Sequence, residues 1–217
     1  MSRTSLRGVS SLATLLILCG VAGAASAEEQ PQRAVELWRN CQQCHGAQGH
    51  GDHLALAPAI AGLDTWYVEA QLNLFRSGGR GDNPQDVPGL RMRPMSRSIH
   101  SDEDLKLVAA YVASLPPVKA APVVEGGDAQ RGSATYQALC AQCHGPEGKG
   151  NEAMNAPPLR NLNDWYLVSA LERYKAGIRG TDPQNPNGAL MRGMAMALAD
   201  DQAIKDVVAY IGTLNQQ

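Results

Sequence analysis

Cys41-Gln42-Gln43-Cys44-His45 and Cys140-Ala141-Gln142-Cys143-His144 decide how this chain is read. In each pentapeptide two thiols stand three residues apart, and an imidazole follows the second at once. Near a helix end, that spacing brings both sulfurs to the two vinyl positions of one haem and holds the imidazole beneath the iron as axial ligand. A redox dithiol has no use for the adjoining histidine, and a zinc site needs ligands from a second cluster in the same unit. The repeated pattern therefore predicts two covalently bound haem c groups. Cys41, Cys44, Cys140 and Cys143 are the attachment points, and His45 and His144 the first iron ligands.

Outward from these pentapeptides the chain repeats itself. At an offset of 99 positions, residues 41–115 and 140–214 align without a gap and share 28 identities in 75 positions. The shared residues include Pro58/Pro157, Trp66-Tyr67/Trp165-Tyr166, Arg80-Gly81/Arg179-Gly180 and Met92-Arg93-x-Met95/Met191-Arg192-x-Met194. Solenoid units run only about 20–50 residues, so this is a duplicated domain. The expected organisation is a signal peptide over 1–27, a first domain over 28–115, a Pro-rich linker over 116–127 and a second domain over 128–217.

Each copy reads as all-α. Residues 32–44 and 128–143 lead into the cysteine pairs, and Asp64 and Asn163 suit the N-caps of amphipathic helices that stop at Gly78 and Gly177. Ser101 with Asp104 resembles a capping box, and Asp200 caps the matching last helix. Strand-like alternation is absent. The Gly- and Pro-rich segments 46–62 and 79–98 read as loops, too long for a compact domain unless they wrap something.

The start of the chain fits export. Arg3 and Arg7 precede an apolar run from Leu12 to Ala25, and Ala25-Ser26-Ala27 forms an A-x-A site with cleavage after Ala27. Cleavage removes Cys19 and leaves only the two attachment pairs, in the periplasm. A net charge of −2 excludes the strong basicity of a nucleic-acid binder. One Phe, three Trp and six Tyr fill two small cores poorly without a large apolar cofactor.

A sixth ligand is available in each copy. Met92 and Met95 recur as Met191 and Met194, and a neutral thioether opposite an imidazole raises the potential as electron transfer requires. Either member of each pair suits the role. His50, His53 and His100 face Lys149, Glu152 and Ala199 in the repeat, so the scaffold does not depend on them. Arg80 and Arg179 are candidate donors to the haem propionates, with Trp66 and Trp165 as weaker ones. Arg91, Arg93 and Arg97 form a basic rim on the first Met segment, whereas the second keeps only Arg192.

With Cys-x-x-Cys-His-Gly, the following Gly49-x-Gly51 and Gly148-x-Gly150, Pro58 and Pro157, and a Met before a last helix containing Ala-Tyr, the chain resembles the class I cytochromes c. It is most similar to their tandem dihaem, cytochrome c4-like form. The resemblance implies two tandem domains, each a few helices wrapped around one covalent haem. It implies that the Pro58 and Pro157 carbonyls hold the histidines, and that Met92 and Met191 are the sixth ligands with Met95 and Met194 as alternatives. Gly132 and Tyr136 match the family's contact between first and last helices. Arg33 and Leu37 depart from it, so the first copy must pack differently, with Trp38 as the substitute.

The expected function is outer-sphere, one-electron transfer between redox proteins such as a membrane terminal oxidase, a reductase or a periplasmic dehydrogenase, with no small-molecule substrate and no nucleic acid. The alternatives are an electron-entry subunit of a larger oxidoreductase, or a dihaem peroxidase or sulfur-compound oxidase, which needs a displaceable iron ligand.

Overall fold

The computed structural model describes Met1 and residues 29–119 and 121–214, so the expected signal stretch with Cys19 and Ala27 lies outside it. Among the described residues the regular elements are helices, and β pairing is confined to two isolated bridges, Asp52–Ala57 and Asn151–Ala156. The first copy holds α1 (Glu29–His45), α2 (Thr65–Ser77), α3 (Val87–Arg97) and α4 (Asp102–Ser114). The second holds α5 (Ala129–Leu139), α6 (Ala141–His144), α7 (Asp164–Lys175), α8 (Pro186–Met196) and α9 (Asp201–Leu214).

Local chemistry starts and stops these helices. The Ser101 hydroxyl accepts from Asp104 N at 3.0 Å and the Asp200 carboxylate from Ala203 N at 2.8 Å, which satisfies amide groups that α4 and α9 would otherwise leave bare. Gly78 ends α2 in the left-handed conformation. Asp64 and Asn163 stand at the starts of α2 and α7, but neither side chain caps its helix. Asn163 is used elsewhere.

The methionine segments correct the sequence reading. Their Gly- and Pro-rich composition suits loops, yet both are helical. Asp86 accepts from Gly89 N and Asn185 from Gly188 N, so each helix has a cap. Pro88 and Pro186 fall in the first turn, where a missing N–H costs nothing. Pro94 sits inside α3 as well. Its preference for an extended predecessor is outweighed by the cap at one end and the buried Ser96 beyond it.

The two copies build their cores from related contacts. In the second, α5 crosses α9 so closely that a Cβ on Gly132 would lie 1.9 Å from the Asp206 carbonyl oxygen. Tyr136, fully buried there, packs on Tyr210 and donates to Gly145 O at 2.7 Å. In the first copy Arg33 replaces that glycine and reaches Asp104 with two bonds of 2.9 and 2.6 Å. Trp38, one position along from the expected aromatic, packs on Tyr111 and donates to Ala47 O at 3.2 Å. The neighbouring residue thus supplies the same aromatic wedge and the same bond to the loop after the histidine.

The halves meet through equivalent surfaces. Asn163 accepts from Ala59 N at 2.5 Å and donates to His50 O at 3.4 Å, and the Trp165 ring lies 4.9 Å from that of His53. The reciprocal bond cannot form, because Ala59 is matched by Pro158, which has no N–H; Asp64 accordingly remains exposed. Asp164 accepts from Val123 N and Val124 N at 2.7 Å, fastening the connecting segment to the start of α7.

Candidate functional site

The first cysteine pair ends α1, the second spans the junction of α5 and α6 with Cys140 between them and Cys143 in α6, and each chain segment then turns sharply back. Gly51 N and Gly150 N bond to His45 O and His144 O at 2.8 Å. These glycines have φ near +83° and +82°, and a Cβ would sit 2.5 Å from Ala59 N or 2.6 Å from Pro158 N. Only glycine lets the turn lie against the Pro58 and Pro157 segments so tightly.

That closeness fixes the histidines. His45 Nδ1 lies 2.8 Å from Pro58 O, and His144 Nδ1 lies 2.7 Å from Pro157 O. A carbonyl can only accept, so Nδ1 carries the proton and the Nε2 lone pair is free for a metal. Both rings are buried, and burial holds each below the ordinary histidine range, so both are neutral as ligation requires. The same desolvation pushes the Cys41 and Cys140 thiols up to about 11. The four described cysteines are all unpaired with one another.

Helix phase orders the methionines. Gly89 and Ser96 are the buried residues of α3, and Met92 lies three after one and four before the other, on their face. Met191 stands likewise between the buried Gly188 and Ala195 of α8. Met92 is half-buried while Met95 is 39 % exposed; Met191 and Met194 are both half-buried.

The arginines group at the junction. Arg80 lies over the Phe75 ring and donates to Gln71 and to Tyr166 OH across the junction; Arg179 lies over Tyr174 and is buried. Burial alone would push the Tyr166 phenol up, but Arg80 and Arg179 beside it draw it down to about 7. A half-buried phenol driven toward ionisation marks surplus positive potential, the surroundings an anionic group needs. The Nε atoms of Arg80, Arg93 and Arg192 are moreover buried without a partner. Neutral buried histidines, paired thiols and this positive, under-satisfied junction fit covalent haem with its carboxylate side chains.

Several of these residues escaped the sequence reading. Arg93, part of the basic rim in the sequence, turns inward and pairs with Asp82. Arg97 donates to Arg76 O and Arg91 to Ala55 O, so the rim is tied down, not free. The repeated Met-Arg-x-Met motif marked Arg93 and Arg192 as shared, but only helix phase shows which way they point. His50 and His53 join the junction, while His100 is exposed. Trp66 packs edge-on against Tyr67, as Trp165 does against Tyr166.

Comparison with known proteins agrees with this construction. The cytochrome c family model matches residues 31–116 and again 129–215. The chain is 34% identical over 184 residues to the thiosulfate dehydrogenase electron acceptor of Stutzerimonas stutzeri (strain A1501), covering 79% of each. Its fold resembles that of thiosulfate dehydrogenase from Marichromatium purpuratum, with a TM-score of 0.68 and 29% identity. That likeness covers 84% of this chain and 40% of the other. It also resembles reduced cytochrome c4 from Pseudomonas stutzeri, with a TM-score of 0.63 and 26% identity over 87% of this chain and 98% of that one. Two family matches in tandem, each centred on a cysteine pair and a buried neutral histidine, place the chain in the cytochrome c family as a cytochrome c4-like dihaem protein.

Proposed function

We propose that this protein is a periplasmic one-electron carrier, exported by cleavage after Ala27, which accepts electrons at one domain and delivers them from the other. When bound, each haem supplies a ferric/ferrous couple. Cys41 with Cys44 and Cys140 with Cys143 tether the two groups. His45 and His144 present Nε2 to the irons, oriented by the Pro58 and Pro157 carbonyls at 2.8 and 2.7 Å. Met92 and Met191, on the inward faces of α3 and α8, would hold the irons together with the histidines, and Arg80 and Arg179 would donate to the carboxylates. With a histidine and a methionine of each copy to hold it, a bound haem would offer substrate no open position and would supply outer-sphere electron exchange, which makes the protein a carrier and not an enzyme. The histidine–proline clamp, built identically in both copies, is the observation that carries this reading.

The partners are redox proteins. A thiosulfate-oxidising dehydrogenase is the proposed donor, on the strength of the relative that carries the name of its electron acceptor, and a terminal oxidase the proposed acceptor. Because the chain matches 40% of a thiosulfate dehydrogenase chain, a stable electron-entry subunit is the second reading. An anaerobic redox titration followed by visible spectroscopy should show two one-electron waves and methionine-to-iron charge-transfer absorption. A haem content of one per chain overturns the dihaem carrier. Reduction by a thiosulfate dehydrogenase during turnover tests the donor, and co-purification without crosslinker separates free carrier from subunit.

A further inference from the structure

Duplication supplies an internal control for every side chain, and at one nearly fully buried carboxylate facing the junction the two halves differ in formal charge. Asp86, 2% exposed, accepts from Gly89 N at 3.3 Å and faces Arg173 Nε of α7 at 3.8 Å. At the matching position Asn185 accepts from Gly188 N at 2.9 Å in the same way, but its amide donates to Gly79 O at 3.4 Å. The position of Arg173 is held in the first copy by Leu74, beside Gly79. An ion pair thus crosses the junction on one side, and a neutral amide–carbonyl contact on the other.

Neither capping nor stability accounts for that difference. Asn185 caps α8 without a charge, and a buried ion pair adds little net stability over neutral packing. The charges do have a direction, however. The anion precedes α3, the helix of Met92, and the cation lies on α7 of the second copy. Inside a buried junction such charges are weakly screened. An anion favours the more positive, ferric state of its neighbour, and a cation favours the ferrous state. Arg80 and Arg179 occupy equivalent positions, as do Arg76 and Lys175, so they leave no comparable difference between the copies. Asp64 is exposed and screened by solvent.

We propose that the Asp86–Arg173 pair is a built-in potential step that biases the electron from the first haem toward the second. The inference rests on the dihaem carrier reading. In the biased step one electron leaves the iron of the first copy, which is oxidised, and reaches the iron of the second, which is reduced; no proton or atom moves. Asp86 and Arg173 are positioning residues for the electron, not ligands.

The test uses the full dihaem protein, with each variant borrowing the residue of the other half: Asp86→Asn, Arg173→Leu and the two combined. Potentials come from spectroelectrochemical titration, each assigned to its copy through haem-methyl resonances. Asp86→Asn should raise the first potential and Arg173→Leu lower the second. Each should shift the haem-to-haem equilibrium about tenfold toward the first, about 59 mV for one electron. Adding Asn185→Asp and Leu74→Arg to the combined variant should restore a step of opposite sign. Arg173→Lys keeps the charge and should keep the wild-type splitting; a collapse there reveals a packing effect and overturns the proposal. An unchanged splitting in Asp86→Asn or Arg173→Leu overturns it too. Wild-type protein with a single haem removes the carrier reading itself and is told apart at the first titration.

Discussion

A histidine that ligates a metal must be neutral and must aim one nitrogen; burial meets the first condition, and a single proline carbonyl in each copy meets the second. Ligand choice on the opposite side is the sharpest prediction at this scale. Met92→Ala and Met191→Ala should each abolish one methionine-to-iron charge-transfer band and lower that centre's potential, because the soft sulfur is lost. Met95→Leu and Met194→Leu should retain both bands and cost less than about 1.5 kcal/mol in thermal unfolding, being close to volume-conserving. The reverse pattern would transfer the role to Met95 and Met194. The cysteines and histidines were legible because their chemistry depends on spacing within five residues. The inward turn of Arg93 and Arg192 was not, since it follows from the phase of a helix whose existence the prolines concealed.

Between elements, the contact of first and last helices carries most of the difference between the copies. Gly132→Ala would drive a methyl into the backbone of α9 and should cost about 3 kcal/mol or more, read as a lowered denaturation midpoint with both haems still attached. Acid should act on the same contact. Asp206 accepts from Arg131 Nε and Nη2, from Asp128 N and from Gln202, and these bonds, the Arg131 bond above all, depress its carboxyl to about 2. Its folded value lies below the unfolded one, so its stabilisation is complete above the unfolded value of 3.8 and fades as pH falls toward 2. Urea unfolding of the second domain should therefore weaken through that window, and Asp206→Asn should flatten the dependence while costing about 2 kcal/mol near neutrality. Gly132 and Tyr136 were readable as this contact from the sequence. The substitute was only partly readable: Trp38 was visible as a candidate, but Arg33 meeting Asp104 required the fold, because the two residues are 71 positions apart. The methionine helices were misread for a local reason, as Gly89, Pro88 and Pro94 speak for a loop until Asp86 is seen to cap them.

In the whole molecule the two domains share a plan but not a core. Ile99, Leu105 and Val108 form the first contiguous cluster, against a larger one around Tyr136, Ile204, Val207 and Ile211 in the second. Hydrogen exchange should accordingly release the amides of α1 and α4 before those of α5 and α9; the opposite order would contradict this. Intact mass of the exported protein should equal residues 28–217 plus two haems, with no alkylatable thiol. Duplication and domain count were legible from the constant offset, whereas the surfaces that join the halves were not, because Asn163 and Ala59 gain meaning only once brought together. Their meeting limits how such a chain can grow. Each half presents the same region to the other, so the contact is close to isologous and consumes both faces at once. A third unit copied from the second would bring Pro158, without an N–H, to a face already occupied. Longer arrays built on this junction are closed off, and a cell needing more haems in a row must add them by another geometry.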